Sequence, residues 1–333
     1  MTDPKQSRSG EDALIARYFQ PLATDPGAFN LVDDAAILKP SADDLVLKTD
    51  AIVEGVHFFP DDPPDTVARK ALRVNLSDLA SKGAIPAGFL LTLALRSADD
   101  AWLAPFARGL GEDAARYGCP LLGGDTVSTP GPKMISIAAF GRVPAGKMVH
   151  RSGAKPGDHI VVTGTIGDAA LGLDILKDGA VAKALAGDAG AREMLVGRYR
   201  VPQPRNALAQ AVRDHASAAM DVSDGLAGDL AKLCGASAVS ATIDAPSIPL
   251  SAPAAALLAR GTIGIGTIVA GGDDYEILCA IPENRIEAFV AAAGQAGVAV
   301  ASIGTVIAGP SAPKFLDAQG REIALKHLSY SHF

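Results

Sequence analysis

Carboxylates recur along this chain in short segments that set them beside glycine, a hydroxyl residue or a small apolar residue. The segments are Asp33-Asp34, Thr49-Asp50, Asn75-Leu76-Ser77-Asp78, Gly123-Gly124-Asp125-Thr126, Asp221-Val222-Ser223-Asp224-Gly225 and Gly271-Gly272-Asp273-Asp274, with Asp229 following one of them. Dispersed carboxylates suit the holding of hard cations: Mg2+ takes oxygen ligands, keeps several waters, and is commonly held by a few carboxylates together with substrate phosphates. The chemistry to which this points is phosphoryl transfer.

The elements that must position these groups follow from length and pattern. A chain of 333 residues with 48% hydrophobic and 20% charged residues is globular and long enough for two domains. Residues 1–10 are polar and expected to fray. A short amphipathic helix is expected over 11–19, strands over 45–50, 87–95 and 133–143, and helices over 65–81 and 99–117. The Gly-, Pro- and Lys-rich stretch 144–158 reads as a linker, which divides the chain into domains 1–148 and 149–333. Beyond it a strand covers 159–164, helices lie near 167–176, 189–199 and 204–214, a strand reaches Asp221, and a helix (225–235) and a strand (239–244) follow. The remainder reads helix, strand, Gly-Gly-Asp-Asp, strand, helix, strand. Strands and helices mix without strict alternation, so the fold class is α+β with two α/β domains.

The bulk numbers exclude several functions. The net charge is −7 and no basic stripe exists, which argues against nucleic acid as the main partner but not against anionic nucleotides, since bound Mg2+ reverses the local sign. No apolar run reaches the ~18 residues of a membrane span, and the N-terminus has no apolar signal core. A cytoplasmic location is expected. Cys119, Cys234 and Cys279 lack metal-type spacing and read as small core residues.

The 65–81 helix bears directly on the acidic segments. With Val67 at zero and 100° per residue, Ala71, Val74, Leu72, Leu79 and Leu76 form the apolar arc, and Arg69, Lys70, Arg73 and Ser77 the opposite side. Asp78 falls at roughly 20°, inside the apolar arc. A carboxylate there is either metal-bound or a structural group bonded near the helix end, because an isolated buried charge is costly. Gly123-Gly124-Asp125-Thr126 is either a tight turn or a stretch whose two glycines let the backbone approach a ligand closely. Ser223 or Asp224 is either a helix N-cap or part of an amide-and-carboxylate cradle for phosphate and metal. Gly141 to Met148 imitates a phosphate loop, but Met148 lacks the hydroxyl that loop needs. Gly261 to Gly266 reads as turn and strand.

In this order, the segments resemble the thiamine-monophosphate kinases, of the superfamily that includes aminoimidazole ribonucleotide synthetase, selenophosphate synthetase and a hydrogenase maturation factor. The resemblance is carried by Asp33-Asp34-Ala35-Ala36, Thr49-Asp50 with Gly55-Val56-His57-Phe58, Lys70 to Ala80, Gly123 to Thr126, Arg151-Ser152-Gly153-Ala154-Lys155-Pro156-Gly157-Asp158, Asp221 to Leu226, Gly272-Asp273-Asp274-Tyr275-Glu276 and terminal His332-Phe333. It implies an aminoimidazole ribonucleotide synthetase-like fold and ATP-dependent, direct in-line phosphorylation of thiamine monophosphate to thiamine diphosphate. Several Mg2+ ions are implied, at Asp34, Lys48 (through its carbonyl), Thr49, Asp50, Asp78, Asp125, Asp221 and Asp224. Gly124, Asp125, Arg151 and Ser223 would contact ATP, and His57, Asp273 and His327 the thiamine substrate. No protein nucleophile is implied; Asp125 and Asp224 would act by positioning metal. The resemblance also implies a homodimer that pairs its N-terminal sheets, with the C-terminal domain completing the cleft.

This chain departs from the family at Asn30 and Val32, which replace two glycines, and at Asp273, where Glu is frequent. Two other readings stand beside the kinase. One is another synthetase of the superfamily, although no N-terminal or C-terminal reactive Cys is present. The other is a non-catalytic Mg-nucleotide-binding module.

Overall fold

The computed structural model describes residues 10–329 and divides the chain into two compact units. Of residues 1–10, expected to fray, Gly10 opens the first helix and the other nine lie outside the described residues, as do the terminal His332-Phe333.

The first unit contains the chain up to Asn75 and Pro86–Arg142. Its elements are α1 (Gly10–Leu14), β1 (Asp43–Val53), α2 (Pro64–Ser81), β2 (Ile85–Leu95), α3 (Asp100–Tyr117), β3 (Leu121–Ser128) and β4 (Met134–Pro144). The expected helix over 11–19 is split: α1 is followed by a π-helical turn, Ile15–Phe19. The sheet order is β1-β4-β2-β3, so β1 and β3 are its two edges. On β4, Ile135, Ile137, Ala139 and Val143 are buried in strict alternation, the period-2 signature of a strand covered on one face. α3 starts at Asp99, whose carboxylate accepts from the Ala101 N–H, and stops at Gly118 in the left-handed region.

One of the alternatives is corrected here. Gly123 to Thr126 is not a tight turn but the middle of β3, paired in parallel with β2 so that Leu91 faces Gly124 and Thr92 faces Asp125. A Cβ on Gly124 would lie 1.9 Å from the Leu91 carbonyl oxygen, so the glycine permits close strand approach. The side of α2 opposite the apolar arc is buried as well: Lys70, Arg73 and Ser77 are all internal. Arg73 donates Nε to Asp113 Oδ2 at 2.5 Å and Nη2 to Oδ1 at 2.9 Å, Arg69 donates to the same Oδ1 at 2.9 Å, and Lys70 Nζ donates to the His57 carbonyl at 3.0 Å. α3 supplies Asp113, a partner that no helical wheel of α2 could show.

The second unit contains Leu76–Ile85, including the last turns of α2, and the chain from Val143 onward. Its elements run β5 (His159–Thr163), α4 (Asp168–Leu176), α5 (Ala180–Ala184), α6 (Ala189–Arg200), α7 (Ala209–His215), β6 (Ala218–Asp221), α8 (Leu226–Ser237), β7 (Val239–Asp244), α9 (Ala252–Ala259), α10 (Ile265–Ala270), β8 (Ile277–Ile281), α11 (Ile286–Gln295), β9 (Val300–Ala308) and β10 (Lys314–Leu316). The sheet order is β10-β7-β9-β5-β8-β6. β10 and β7 run parallel; the pairs β7–β9, β9–β5, β5–β8 and β8–β6 are antiparallel. The sheet is covered on both faces. On β8, Leu278 and Ala280 join one apolar cluster with Leu171, Leu195 and Leu230, while Ile277, Cys279 and Ile281 join another with Val212 and Phe289. That is why β5 and β8 read as unbroken apolar runs.

The Gly261 to Gly266 segment opens as a turn, as expected, but no strand follows. It leads into α10, whose Ile268 and Val269 are buried. A short apolar run does not by its period distinguish strand from helix. The phosphate-loop imitation starts in β4, runs past its end, and is followed by no helix before Asp168. All three cysteines are buried; burial pushes the thiols of Cys119 and Cys279 up to about 12 and that of Cys234 to about 11.

Candidate active site

In the first unit, Asp33, Asp34, Gly124 and Asp125 line one cavity of about 800 Å3 with an apolar wall that includes Leu31, Leu91, Leu121 and Phe140. The edge strand β3 brings Asp125 there, and a strained loop brings the Asp pair. Phe29, Asn30 and Leu31 all lie in the left-handed region, at φ 48°, 57° and 54°. Such residues cost on the order of 1–3 kcal/mol each and persist where surrounding structure holds them. The loop is held by Asp25 Oδ1 accepting from Gly27 N–H at 2.7 Å and by Ile37 N–H donating to the Gly27 carbonyl at 2.8 Å. Asn30 thus adopts the backbone that its family glycine would favour, which Asn tolerates better than most residues. Val32, at φ −109°, needs no glycine.

Lys48, Thr49 and Asp50 lie on β1, the opposite edge of the same sheet, and do not line this cavity. Three strand spacings separate the edges, about 14 Å measured across the sheet. Lys48 Nζ pairs with Asp50 Oδ1 at 3.1 Å. His57 follows β1; its Nδ1 accepts from the Val53 N–H at 3.1 Å, which leaves the ring proton on Nε2.

In the second unit, β6 ends at Asp221, which is 5% exposed, and the next residues turn into α8. Asp229, in the first turn of α8 and fully buried, holds that turn: its Oδ2 accepts from the backbone N–H groups of Ser223 and Asp224 at 3.0 and 2.9 Å. Neither Ser223 nor Asp224 is therefore the side-chain cap of α8. Burial raises the Asp229 pKa, against the pull of Lys232. Lys232 Nζ bonds both Asp224 Oδ2, at 2.5 Å, and Asp229 Oδ1, at 2.8 Å, and so supplies the positive charge beside Asp224.

Asp78 is half-buried on α2, one turn before Lys82. Lys82 Nζ donates to the Ala219 carbonyl at 2.6 Å, tying the end of α2 to β6. Burial holds the Lys82 ammonium below its ordinary pKa, Asp221 and Asp78 act against that, and Arg151 adds to it. Those three charges and Lys82 are therefore neighbours. Arg151 is exposed at the head of a segment that is well bonded: Gly153 and Ala154 N–H groups donate to Ser237 Oγ, and Asp158 Oδ2 accepts from Lys155 N–H and Ser217 Oγ.

Gly271 to Glu276 runs beside the Asp221–Asp224 turn. The N–H groups of Asp273 and Tyr275 donate to the carbonyls of Ser223 and Val222, and Val222 N–H donates to the Glu276 carbonyl, each at 2.8 Å. Asp273 and Tyr275 have φ 71° and 51°. A Cβ on Gly272 would lie 2.7 Å from the Ser223 carbonyl oxygen, so glycine is required for this approach. His327 is exposed on the C-terminal segment, which rests on α8 where Gly228 leaves room for Leu328 and Ser329.

Asp229, Lys232, Lys82, Asp274 and Glu276 were not singled out for roles by sequence. Asp229 and Asp274 stood in or beside the acidic segments, and Asp274 and Glu276 in a segment that carries the resemblance, whereas Lys82 and Lys232 carried no signal. Among the described residues, no group of three or more His, Cys, Asp or Glu side chains is arranged to hold a metal ion. The donors offered in each unit are nonetheless carboxylate oxygens, which fit Mg2+, an ion that takes one or two carboxylates and completes its shell with waters and phosphates.

Comparison with known proteins decides between the readings of this arrangement. The family described as AIR synthase related protein, N-terminal domain, matches residues 32–143, and its C-terminal domain matches residues 155–313. A thiamine-monophosphate kinase from Caulobacter vibrioides is 45% identical over 325 residues, 96% of this chain and 89% of the relative. The chain belongs to the thiamine-monophosphate kinase family. Among solved members, the thiamine-monophosphate kinase from Stenotrophomonas maltophilia K279a superposes with a TM-score of 0.82 at 34% identity, covering 94% of this chain and 98% of that one. AaThiL complexed with AMPPCP and TMP superposes with a TM-score of 0.75 at 28% identity, covering 92% and 97%. The family's two-domain mixed α/β architecture is that of this chain.

Proposed function

We propose that this protein is an ATP-dependent kinase that converts thiamine monophosphate to thiamine diphosphate. The observation that carries the reading is the 45% identity to a thiamine-monophosphate kinase over almost the whole chain. A related protein of the same architecture binds AMPPCP and TMP together. An oxygen of the substrate phosphate, already anionic at neutral pH, attacks the γ-phosphorus of ATP. The bond to the β–γ bridging oxygen breaks, and ADP leaves. Such a reaction needs positioning and charge neutralisation rather than a protein nucleophile.

The residues divide that work. Asp34 and Asp125 on the first unit's cavity, Thr49, Asp50 and the Lys48 carbonyl on β1, and Asp78, Asp221 and Asp224 of the second unit would hold Mg2+. Mg2+, when bound, supplies the positive charge that offsets repulsion between the two phosphorylated reactants. Gly124 offers backbone, Ser223 a hydroxyl and Arg151 charge-assisted bonds to ATP. Asp273, His57 with its Nε2 proton, and His327 read the thiamine substrate. In a coupled assay, ADP is expected only when thiamine monophosphate and Mg2+ are both present, with EDTA abolishing turnover and Mg2+ restoring it. ADP formed only with an aminoimidazole precursor, or never, rejects the reading.

The protein functions as a homodimer in the cytoplasm. Leu45, Leu47, Leu90 and Val127 on β1, β2 and β3 are exposed, 66% in the case of Leu47, as suits a sheet that pairs with its copy. Sedimentation equilibrium is expected to give twice the chain mass of 33.9 kDa; a monomer at micromolar concentration refutes the pairing. Cell fractionation tests the compartment.

A further inference from the structure

The segment Asp273 to Glu276 alternates in both conformation and exposure. Asp273 and Tyr275 are left-handed and half-buried, whereas Asp274 and Glu276 are 2% and 0% exposed. The two inward carboxylates are held by backbone and side-chain donors of the second unit. Asp274 Oδ2 accepts from the Gly167 N–H at 2.7 Å and Oδ1 from the Ala169 N–H at 3.4 Å, so it caps the start of α4 from a distant part of the chain. Glu276 accepts from Arg198 Nη2 and Arg205 Nε, each at 2.6 Å, and from Thr163 Oγ1 at 2.6 Å; Thr163 Oγ1 in turn accepts from the Ile277 N–H at 2.8 Å. The turn is thereby fastened inward at two consecutive alternate residues. Tyr275 lies between the two anchors, and Asp273, at φ 71°, lies between its own N–H bond to the Ser223 carbonyl and the Asp274 anchor.

We infer that Asp274 and Glu276 are positioning residues that hold the left-handed turn so that Asp273 faces the thiamine substrate. The inference rests on the kinase reading. Its physical content is that a left-handed Asp is held only by its surroundings, and that losing the inward anchors lets Asp273 relax while the neighbouring Ser223 hydroxyl and the metal-binding carboxylates remain. The consequence is selective: recognition of thiamine monophosphate suffers, and recognition of ATP does not.

The test is a double-mutant cycle. Asp274→Asn keeps shape but places an amide NH2 against one of the two N–H donors. It is expected to raise KM for thiamine monophosphate about tenfold with KM for ATP moved less than twofold. Asp273→Ala is expected to raise the same KM, and the double variant Asp273→Ala/Asp274→Asn to match Asp273→Ala alone, because Asp274 acts through Asp273. Thr163→Val is nearly isosteric and removes the Thr163 bonds to Glu276 and to the Ile277 N–H, so, with folding checked by circular dichroism, it keeps the proposal testable if Asp274→Asn does not fold. It is expected to raise KM for thiamine monophosphate about threefold, again with no added effect on Asp273→Ala. Additive effects, an equal rise in both KM values, or an unmoved KM in the folded variants overturns the inference. Wild-type protein that consumes no thiamine monophosphate removes the kinase reading and the inference with it, an outcome distinct from wild-type turnover with unmoved variants.

Discussion

Replacing Asp125 or Asp224 by Asn is expected to cut turnover at least a hundredfold while leaving the fold intact. Each change removes a negative charge and preserves side-chain size. If either carboxylate holds a metal ion against the transferring phosphate, its loss costs on the order of 3 kcal/mol of transition-state stabilisation, about a hundredfold in rate. The fold should not register the change. Asp125 is exposed on an edge strand, and its strand is held by backbone pairing to β2. Asp224 is half-buried and bonded to Lys232, but its turn is held by Asp229, which keeps its bonds to the Ser223 and Asp224 N–H groups. Circular dichroism beside steady-state kinetics checks both halves. Near-normal rates in the two variants would reject their assignment as metal ligands.

The largest loss of stability is expected from Asp113→Ala. Asp113 is fully buried and receives three bonds from Arg73 and Arg69, and Arg73 is itself only 2% exposed. Truncating the carboxylate strands a buried guanidinium, which costs about 3–5 kcal/mol. Urea denaturation should show the midpoint fall with the slope unchanged. The double variant Arg73→Met/Asp113→Leu should recover most of that loss, because a buried ion pair contributes little net stability over apolar groups of similar volume. If Asp113→Ala alone is neutral, the pair does not hold α2 and α3 together. This buried triad also explains the cation-rich stretch of α2, which the helical wheel places opposite the apolar arc. Lys70, Arg73 and Ser77 are polar by composition but internal by contact.

Long periodic segments were legible from sequence. The helix expected over 65–81 is Pro64–Ser81, and the strand expected over 133–143 is Met134–Pro144. Each is long enough for its period to average out local exceptions. The failures share a cause. β3 looked like a turn because Gly123-Gly124 disfavours strand locally; parallel pairing with β2 and the close approach at Leu91 overrode that preference. α10 is six residues long, too short for a period to distinguish helix from strand.

The sequence by itself determined the chemistry on offer: oxygen-rich acidic segments without a nucleophile, a basic stripe or a membrane span, in an order that marks the kinase family. Residue type and spacing are local properties, and they survive in the one-dimensional string. Only the tertiary structure decided how neighbouring carboxylates differ. Asp273 stays half-buried while Asp274 and Glu276 are buried, Asp50 and Asp125 stand on opposite edges of one sheet, and Asp229 supports Asp224 rather than joining it. The physical reason is that a carboxylate's role depends on the donor that meets it. Those donors, Gly167 N–H, Arg198, Arg205 and Lys232 among them, are brought by packing and strand order, which spacing alone does not encode.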